Sequence, residues 1–278
     1  MSVSISSPVW DKLKAKLSQL SPLLFGQLGS ILGAFTVVIY LQTPQLAALK
    51  QQHRGLSKAD LQQAEARAKV QLSFVKMLPA LGFDNIVADW HFMEFLQYFG
   101  DTDVRSQAGY AAALDYFDVI LDRDPRFLYA YYYLSNTGSL YAAQPERSVA
   151  LMTQGLKSFT PQVPDRGYYV WRLKGVDELL FLGRIPDART SMLTAANWAR
   201  QQLDREGQNV AQVSLNTAKY LARNPNSKQA QFDAWNMVLT GAVDESVAKR
   251  AISEIRAMGG KVTTTSTGEL KVEAPVKD

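Results

Sequence analysis

The chain has 278 residues, of which 47% are hydrophobic and 10% aromatic, so it is long and apolar enough to bury a sizeable core. It contains no cysteine, which excludes disulfides, thiol nucleophiles and cysteine-ligated zinc or iron–sulfur sites. The net charge of +4 is the sum of four segments with different net charges: +6 over residues 1–76, −7 over 77–124, +5 over 125–223 and zero over 224–278. Because this layout offers no single cationic surface, we expect no nucleic-acid partner.

The N-terminal part contains a long stretch without charge. Residues 17–49 include no Asp, Glu, Lys, Arg or His, and the nineteen residues from Leu23 to Leu41 are mostly apolar or small. At 1.5 Å per residue, a helix of about that length spans the hydrocarbon core of a bilayer. We predict a transmembrane anchor here, after an N-terminal segment 1–22 and before a linker 42–56. A buried core helix is the alternative, but core helices rarely run so long without a charge.

Two further questions are whether this segment is cleaved as a signal peptide and which side of the membrane holds the domain. The apolar region of a cleaved signal peptide has about 7–15 residues, which is shorter than this stretch, and Leu-Ala-Ala at 46–48 is a poor cleavage site. We therefore favour a retained single-pass anchor. Three basic residues lie on each side of it. Because Lys12, Lys14 and Lys16 lie closer to the span, we expect a cytoplasmic N-terminus and a domain on the extracytoplasmic or lumenal side.

Small residues lie on one face of the predicted anchor. Gly29 and Gly33 form a G-x-x-x-G pair, which Gly26 and Ser30 extend. Glycines at this spacing let two helices approach closely within a bilayer. Glycine is also frequent in transmembrane helices that have no partner, so the pattern leaves both self-association and no role open.

Downstream of the linker, the sequence predicts two helices before residue 101. Ser57 begins a capping box, and apolar residues at helical spacing continue to Pro79. A second helix runs from Asp84 to Phe99. Seven of the ten residues at 90–99 are large and apolar or aromatic, so we expect other elements to cover this helix on most sides.

The middle of the chain repeats a helix–turn–helix plan. The predicted helices, in order, cover residues 110–121, 127–142 and 145–159, followed by a second helix pair over 168–199. Pro145 and Pro186 begin equivalent helices about 41 residues apart. Self-similarity at this spacing is typical of stacked helical repeats.

These residues resemble the tetratricopeptide repeat (TPR). Asp124-Pro125 and Asn224-Pro225 match the usual end of such a repeat. Small residues also recur seven apart where such repeats pack their helices closely, in the pairs Ser148/Gly155 and Ala188/Ala195. The resemblance covers roughly residues 105–245 and implies about three units of a helical solenoid.

The chain as a whole is similar to a family of membrane-anchored cyanobacterial proteins with TPR-like repeats. The strings that carry this resemblance are LGFDNIVADW at 81–90, FLQYFGD at 95–101, RDPRF at 123–127, YYVWRLKGVDELLFLG at 168–183 and ARNPNSK at 222–228. The resemblance implies a plasma or thylakoid membrane and no particular activity.

The C-terminal region adds a helix and a short β element. After a last helix from Asp244 to Met258, the segment KVTTTSTGELKV alternates β-forming residues around a Thr-Gly turn, which predicts a hairpin. The predicted fold is therefore all-α. It consists of the transmembrane anchor, a TPR-like helical domain over 57–260, and a small hairpin with a tail over 261–278.

The sequence offers little catalytic chemistry. His91 stands near Asp89 and Glu94, and it shares a helix face with Glu94 at i,i+3. A di-iron bundle needs two Glu-x-x-His motifs, whereas here the order is reversed and single; a structural hydrogen bond is the other interpretation. Nucleophile-elbow, Walker and dinucleotide-binding motifs are absent from the sequence. We predict no enzyme, metal or cofactor, with a metal- or ligand-binding enzyme or carrier using the His91 region as the alternative.

Aromatic residues instead indicate a binding surface. They cluster where the first helices of neighbouring repeats begin, and these helices line the concave face of helical solenoids. Helix geometry sends about half of them to the core, so only some face the groove. The candidates are Tyr131, Tyr132, Asn136, Trp171, Lys174 and Asp177. The sequence thus predicts a membrane-tethered scaffold for a protein or peptide partner, acting in the assembly or maintenance of a membrane complex.

Overall fold

The structure is a computed structural model that describes residues 29–31, 33–44, 57–224, 226, 228–264 and 270–274. The chain divides into two compact units, Met1–Leu56 and Ser57–Asp278. In the first unit, the described residues up to 44 are helical. A Cβ added to Gly29 or Gly33 would meet no other atom within 4 Å.

The predicted membrane anchor falls partly outside the described residues, because residues 23–28, with Gly26, and residue 32 are not among them. Within the part of the chain that the structure describes, none of the helices combines the length and apolarity that crossing a bilayer requires. The anchor from Leu23 to Leu41 and self-association through it stay predictions.

The second unit is mostly helical, as expected for the all-α class. Its helices are α1 (Lys58–Met77), α2 (Asp84–Gly100), α3 (Thr102–Ala108), α4 (Ala113–Arg123), α5 (Leu128–Ser135), α6 (Pro145–Leu156), α7 (Tyr168–Leu180), α8 (Ile185–Ala199), α9 (Arg205–Arg223), α10 (Lys228–Gly241) and α11 (Glu245–Ala257). The π-helical turn Asn136–Tyr141 continues α5. The strands β1 (Lys261–Thr264) and β2 (Leu270–Glu273) pair antiparallel and form the predicted hairpin.

Helices α1 and α2 are joined by the loop at 78–83, and both pack on α4; we call this helix–loop–helix the α1–α2 hairpin. The capping box at the start of α1 is confirmed: the Asp60 amide donates to Ser57 Oγ at 3.2 Å, and the Ser57 amide donates to Asp60 Oδ2 at 2.9 Å. Aromatic rings fill the space between α2 and α4, with the ring centroids of Phe95 and Phe117 4.5 Å apart. Both side chains are fully buried.

Two helix pairs, α5–α6 and α7–α8, occupy the part of the chain where the sequence predicts repeated units. Pro145 and Pro186 lie in the first turns of α6 and α8, where the missing amide proton leaves no helical hydrogen bond unmade. Glycine allows each pair to pack closely. A Cβ on Gly138 would lie 2.0 Å from Ser148 Oγ, and one on Gly175 would lie 3.2 Å from Ser191 Cβ.

Hydrogen bonds join neighbouring units at a nearly constant sequence separation. The Ser135 hydroxyl donates to Asp177 across 42 residues, the Tyr169 hydroxyl donates to Glu206 across 37, and Arg172 donates to Ser214 across 42. These bonds connect α5 to α7 and α7 to α9. The bonded residues are thus about 40 positions apart, and α5 also packs directly on α7.

The C-terminal helices return to the turns of the repeated units. The Trp235 indole N–H donates to the Phe181 carbonyl at 3.2 Å, and Arg250 forms an ion pair with Glu146 at 2.5 Å. Trp235 and Ile255 belong to a second core cluster, which also includes Val262 of β1. Helices α10 and α11 thus cover the edge formed by the α5–α6 and α7–α8 turns.

Candidate interaction surfaces

Three tyrosines form a continuous row across the first helices of two units. Tyr129 and Tyr132 on α5 have ring centroids 6.2 Å apart, and Tyr132 lies 6.0 Å from Tyr169 on α7. Tyr129 is 68% exposed, and the other two are half-buried. Burial raises the pKa of Tyr132 to about 12, so its hydroxyl stays protonated and available as a hydrogen-bond donor. We call these residues the tyrosine row.

Four of the six predicted groove residues keep some open surface. Asn136 is exposed, while Tyr132, Trp171 and Lys174 are half-buried. The Trp171 ring packs edge-on against Trp198 with centroids 5.8 Å apart, and the Lys174 ammonium lies 5.6 Å from the centre of the Trp171 ring. Neighbouring side chains hold both residues in place, and the Lys174 side chain keeps only 12% of its surface exposed.

The other two predicted groove residues are buried, so the expectation that they face a groove is wrong for them. Tyr131 has no exposed surface, because its ring lies over Gly155 of α6 and its hydroxyl donates to the Pro125 carbonyl at 2.6 Å. Asp177 is 1% exposed, because it lies on the face of α7 that meets the π-helical turn. Both side chains hold helices together.

Asp177 is the centre of a buried polar cluster. The Ser135 hydroxyl donates to Asp177 Oδ1 at 2.9 Å, and the Ser139 hydroxyl donates to Oδ2 at 2.7 Å. Burial raises the pKa of the Asp177 carboxyl to about 7, and the two serine hydrogen bonds oppose this rise. Ser139 lies in the π-helical turn, so the turn aligns a second hydroxyl with this carboxylate.

Glu178, the next residue, has a separate set of partners. It forms an ion pair with Lys174 one turn earlier on α7, and it accepts a hydrogen bond from the Ser191 hydroxyl of α8 at 2.7 Å. Adjacent residues on a helix point about 100° apart. The two carboxylates therefore serve two interfaces, α5–α7 and α7–α8, and do not converge on a shared site.

The contacts of His91 fit the interpretation of a hydrogen bond with a structural role. His91 is buried, and its Nδ1 lies 2.7 Å from Glu94 Oε2, while the Trp90 indole N–H donates to Glu94 Oε1 at 2.9 Å. Asp89 is exposed. Among the residues that the structure describes, no three acidic, histidine or cysteine side chains are grouped so that they would hold a metal ion.

A large apolar surface, which the sequence analysis missed, covers the tip of the α1–α2 hairpin. Its side chains are between 45% and 84% exposed. We call it the hairpin-tip surface; it consists of Val70, Phe74, Met77, Leu78, Leu81, Phe83, Ile86, Trp90 and Met93. A groove of about 340 Å³ runs between the two helices beside it, with Val75, Val87 and Arg123 in its walls. Contiguous exposed apolar surface of this kind marks an interaction site.

This surface corrects the expectation that α2 is covered on most sides. Phe92, Phe95 and Phe99 pack into the core against α4 and α5. Trp90 and Met93 are 65% and 57% exposed on the opposite face. The pattern of apolar residues could have shown two stripes, since 86, 90 and 93 recur at the same i, i+4, i+7 spacing as 70, 74 and 77.

No protein-family model, curated protein or solved structure shows detectable similarity to this chain. The surfaces described above therefore carry the functional argument.

Proposed function

We propose that this protein is a membrane-tethered helical-repeat scaffold that binds a protein or peptide partner. The observation that carries the proposal is the tyrosine row, which joins the first helices of two stacked units and leaves Tyr129 68% exposed. Tyrosine is enriched in binding hot spots, because it contributes a large apolar ring and a hydrogen-bonding hydroxyl with little loss of conformational entropy.

The surroundings of the tyrosine row favour a polypeptide partner over a small molecule. Tyr169 is held by its hydrogen bond to Glu206, and Arg166 pairs with the same carboxylate at 2.8 Å. Asn136 adds an exposed amide at the other end of α5. A surface of fixed rings edged by amide, acidic and basic groups suits an extended or helical peptide that exchanges several hydrogen bonds.

The predicted anchor at 23–41 supplies the tether in this proposal. Confinement to a membrane raises the local concentration of a partner that resides in the same membrane, so modest affinity suffices. Assembly or maintenance of a membrane complex is the process that this arrangement serves best. In the organisms that the resemblance implies, the membrane is the plasma or the thylakoid membrane.

Affinity capture tests partner binding. Tagged full-length protein is purified from mildly solubilised native membranes, and co-purifying proteins are identified by mass spectrometry. We expect a stoichiometric partner whose recovery falls about tenfold or more when Tyr129 and Tyr132 are changed to alanine, the loss typical of hot-spot aromatics. The matched control is Tyr220→Ala, because Tyr220 is a 64% exposed tyrosine outside the tyrosine row. Equal recovery by the control and the row variants would refute the assignment.

Alkaline carbonate extraction tests the tether. A chain with a spanning helix stays in the membrane pellet at high pH, whereas a peripheral protein is released. We expect the full-length protein in the pellet, and release after two aspartates replace Val37 and Val38 in the predicted anchor. Release of the unmodified protein would contradict the tether and leave the partner-binding proposal standing.

A further inference from the structure

The hairpin-tip surface is concentrated at one end of the α1–α2 hairpin. On α1 the exposed apolar residues are Val70, Phe74 and Met77, and the same face is polar one turn earlier, at Gln63 and Arg67. On α2 the exposed apolar residues are Ile86, Trp90 and Met93, each further from the tip than the one before. The exposed apolar residues therefore lie at the loop end of the hairpin, and polar residues replace them further along the helices.

The loop at the tip is apolar and rigidly presented. No residue from 77 to 83 carries a charge. Leu81 is 84% exposed and has a φ of 51°, in the left-handed region that favours glycine or asparagine. The Arg123 guanidinium holds both ends of the loop, since it donates to the carbonyls of Val75 and Leu78 and to Asp84 Oδ1 at 3.2 Å. A strained, exposed leucine on a fixed loop is the kind of outlier that points to a function.

The chemistry of this tip matches the interface of a lipid bilayer. Leucine, methionine and phenylalanine at the end are side chains that suit the acyl boundary. Trp90, a residue type common at membrane interfaces, lies further back, with its indole N–H bonded to Glu94. The exposed Arg67 lies on α1 one turn before Val70, at a position that suits contact with lipid head groups, while the Lys76 ammonium lies 4.0 Å from Asp118 Oδ1. A protein-binding patch of this size more commonly has polar groups interspersed through it.

The length of the linker allows this contact. Helix α1 has 20 residues and is about 30 Å long. Its apolar tip lies at the end opposite to the linker. After the helical residues that end at 44, the twelve residues at 45–56 would reach up to about 40 Å if extended. A chain that leaves the bilayer after residue 41 therefore has enough length to return the hairpin tip to the same membrane surface; this step rests on the proposed tether.

We infer that the hairpin-tip surface docks onto the lipid bilayer, with the loop from Leu78 to Phe83 in the interfacial region. The contact is a second attachment, distinct from the anchor and from the tyrosine row. It sets the orientation of the helical domain relative to the membrane, and so the direction in which the tyrosine row faces a membrane-resident partner.

Site-specific fluorescence tests the inference, because the chain contains no cysteine and single cysteines can be introduced cleanly. Leu81→Cys carries an environment-sensitive fluorophore in the full-length protein, reconstituted into phosphatidylcholine–phosphatidylglycerol vesicles. Leu203→Cys is the matched control, a fully exposed leucine in the turn between α8 and α9. Val38→Cys reports on the anchor separately. Nitroxide groups near the carbonyl end of the lipid acyl chains serve as quenchers.

We expect nitroxide lipids to quench most of the emission from position 81 and to leave position 203 unchanged. Adding Phe83→Asp should abolish the quenching at 81, because a carboxylate resists insertion. Equal behaviour at 81 and 203 overturns the inference, and so does a blue-shifted but unquenched label at 81, which indicates contact with protein such as a second copy. Quenching at 38 without quenching at 81 leaves the tether and removes the docking. Quenching at 81 without quenching at 38 supports the docking and removes the tether.

Discussion

Replacing Gly155 by alanine tests how the repeated units pack. A Cβ at position 155 would lie 1.6 Å from the Tyr131 hydroxyl oxygen and 2.6 Å from Tyr131 Cζ. The ring cannot retreat freely, because it is fully buried and packs edge-on against Phe159 with centroids 5.6 Å apart. The added methyl group therefore forces the ring, or the α5–α6 crossing, to move.

Three contributions set the size of the effect. Overpacking of a buried site costs about 1–3 kcal/mol. Displacing Tyr131 breaks its 2.6 Å hydrogen bond to the Pro125 carbonyl, which contributes about 1 kcal/mol. Alanine gains about 1 kcal/mol over glycine within a helix. We expect Gly155→Ala to lower the free energy of unfolding by about 1–3 kcal/mol.

Urea unfolding followed by circular dichroism measures this change, and two further variants interpret it. In a Tyr131→Leu background, the space that Gly155→Ala needs is open, so the alanine becomes neutral or stabilising. Gly100→Ala is the control, because a Cβ there meets nothing within 4 Å. If Gly155→Ala destabilises equally with and without Tyr131, the ring is not what the methyl group displaces and the packing argument fails.

Three further changes probe the buried charges and the hairpin tip. Burial raises the pKa of Asp177 to about 7, above its unfolded value of about 4, so the unfolded state loses its proton first and stability falls as the pH rises from about 4 to about 7. Wild-type stability should therefore fall by roughly 3 kcal/mol relative to Asp177→Asn between pH 5 and pH 8, measured by urea unfolding at each pH; parallel profiles would contradict this. Arg105→Met removes the cationic partner of the buried Glu65 carboxylate, which then keeps only the Tyr98 hydroxyl and the Ala112 amide as donors, and should cost about 3–5 kcal/mol in chemical denaturation. Leu81→Gly relieves the left-handed backbone and should raise stability by up to about 1 kcal/mol in the same assay, while weakening contact with lipid; a loss of stability would argue against strain.

Local features of the fold could be predicted from the sequence because their signals are local. Ser57 and Asp60 are three residues apart, and their reciprocal hydrogen bonds need no other part of the chain. Pro145 and Pro186 begin helices because proline lacks the amide proton that a first turn does not use. Ser148 and Gly155, the small residues seven apart in the sequence, both lie at close contacts, against Gly138 and Tyr131 respectively.

Other features could not be predicted because they depend on which helices, distant in the sequence, pack against each other. Tyr131 and Tyr132 are adjacent and chemically identical, and only the position of α6 decides that Tyr131 is buried and Tyr132 half-buried. Asp177 is buried because Ser135 and Ser139, about 40 residues earlier, supply its hydrogen bonds. The return of Trp235 to the repeat turns likewise leaves no local signal.

The hairpin-tip surface shows a further limit of periodicity. Apolar residues at i, i+4 and i+7 predict one apolar face on a helix, and such a face is usually the one that packs into the core. On α1 and α2 a second face carries this pattern, and Phe74 and Trp90 on it are 57% and 65% exposed. Only the positions of neighbouring elements distinguish a core face from an interaction face.

Photo-crosslinking in native membranes tests the central claim most directly. A photoreactive phenylalanine analogue replaces Tyr132 within the tyrosine row, and in a separate variant it replaces the exposed Tyr220. A scaffold whose partner binds the tyrosine row gives one dominant crosslinked protein at position 132 and none at 220. Equal labelling at both positions, or no crosslink to another protein at 132, would contradict the proposed function.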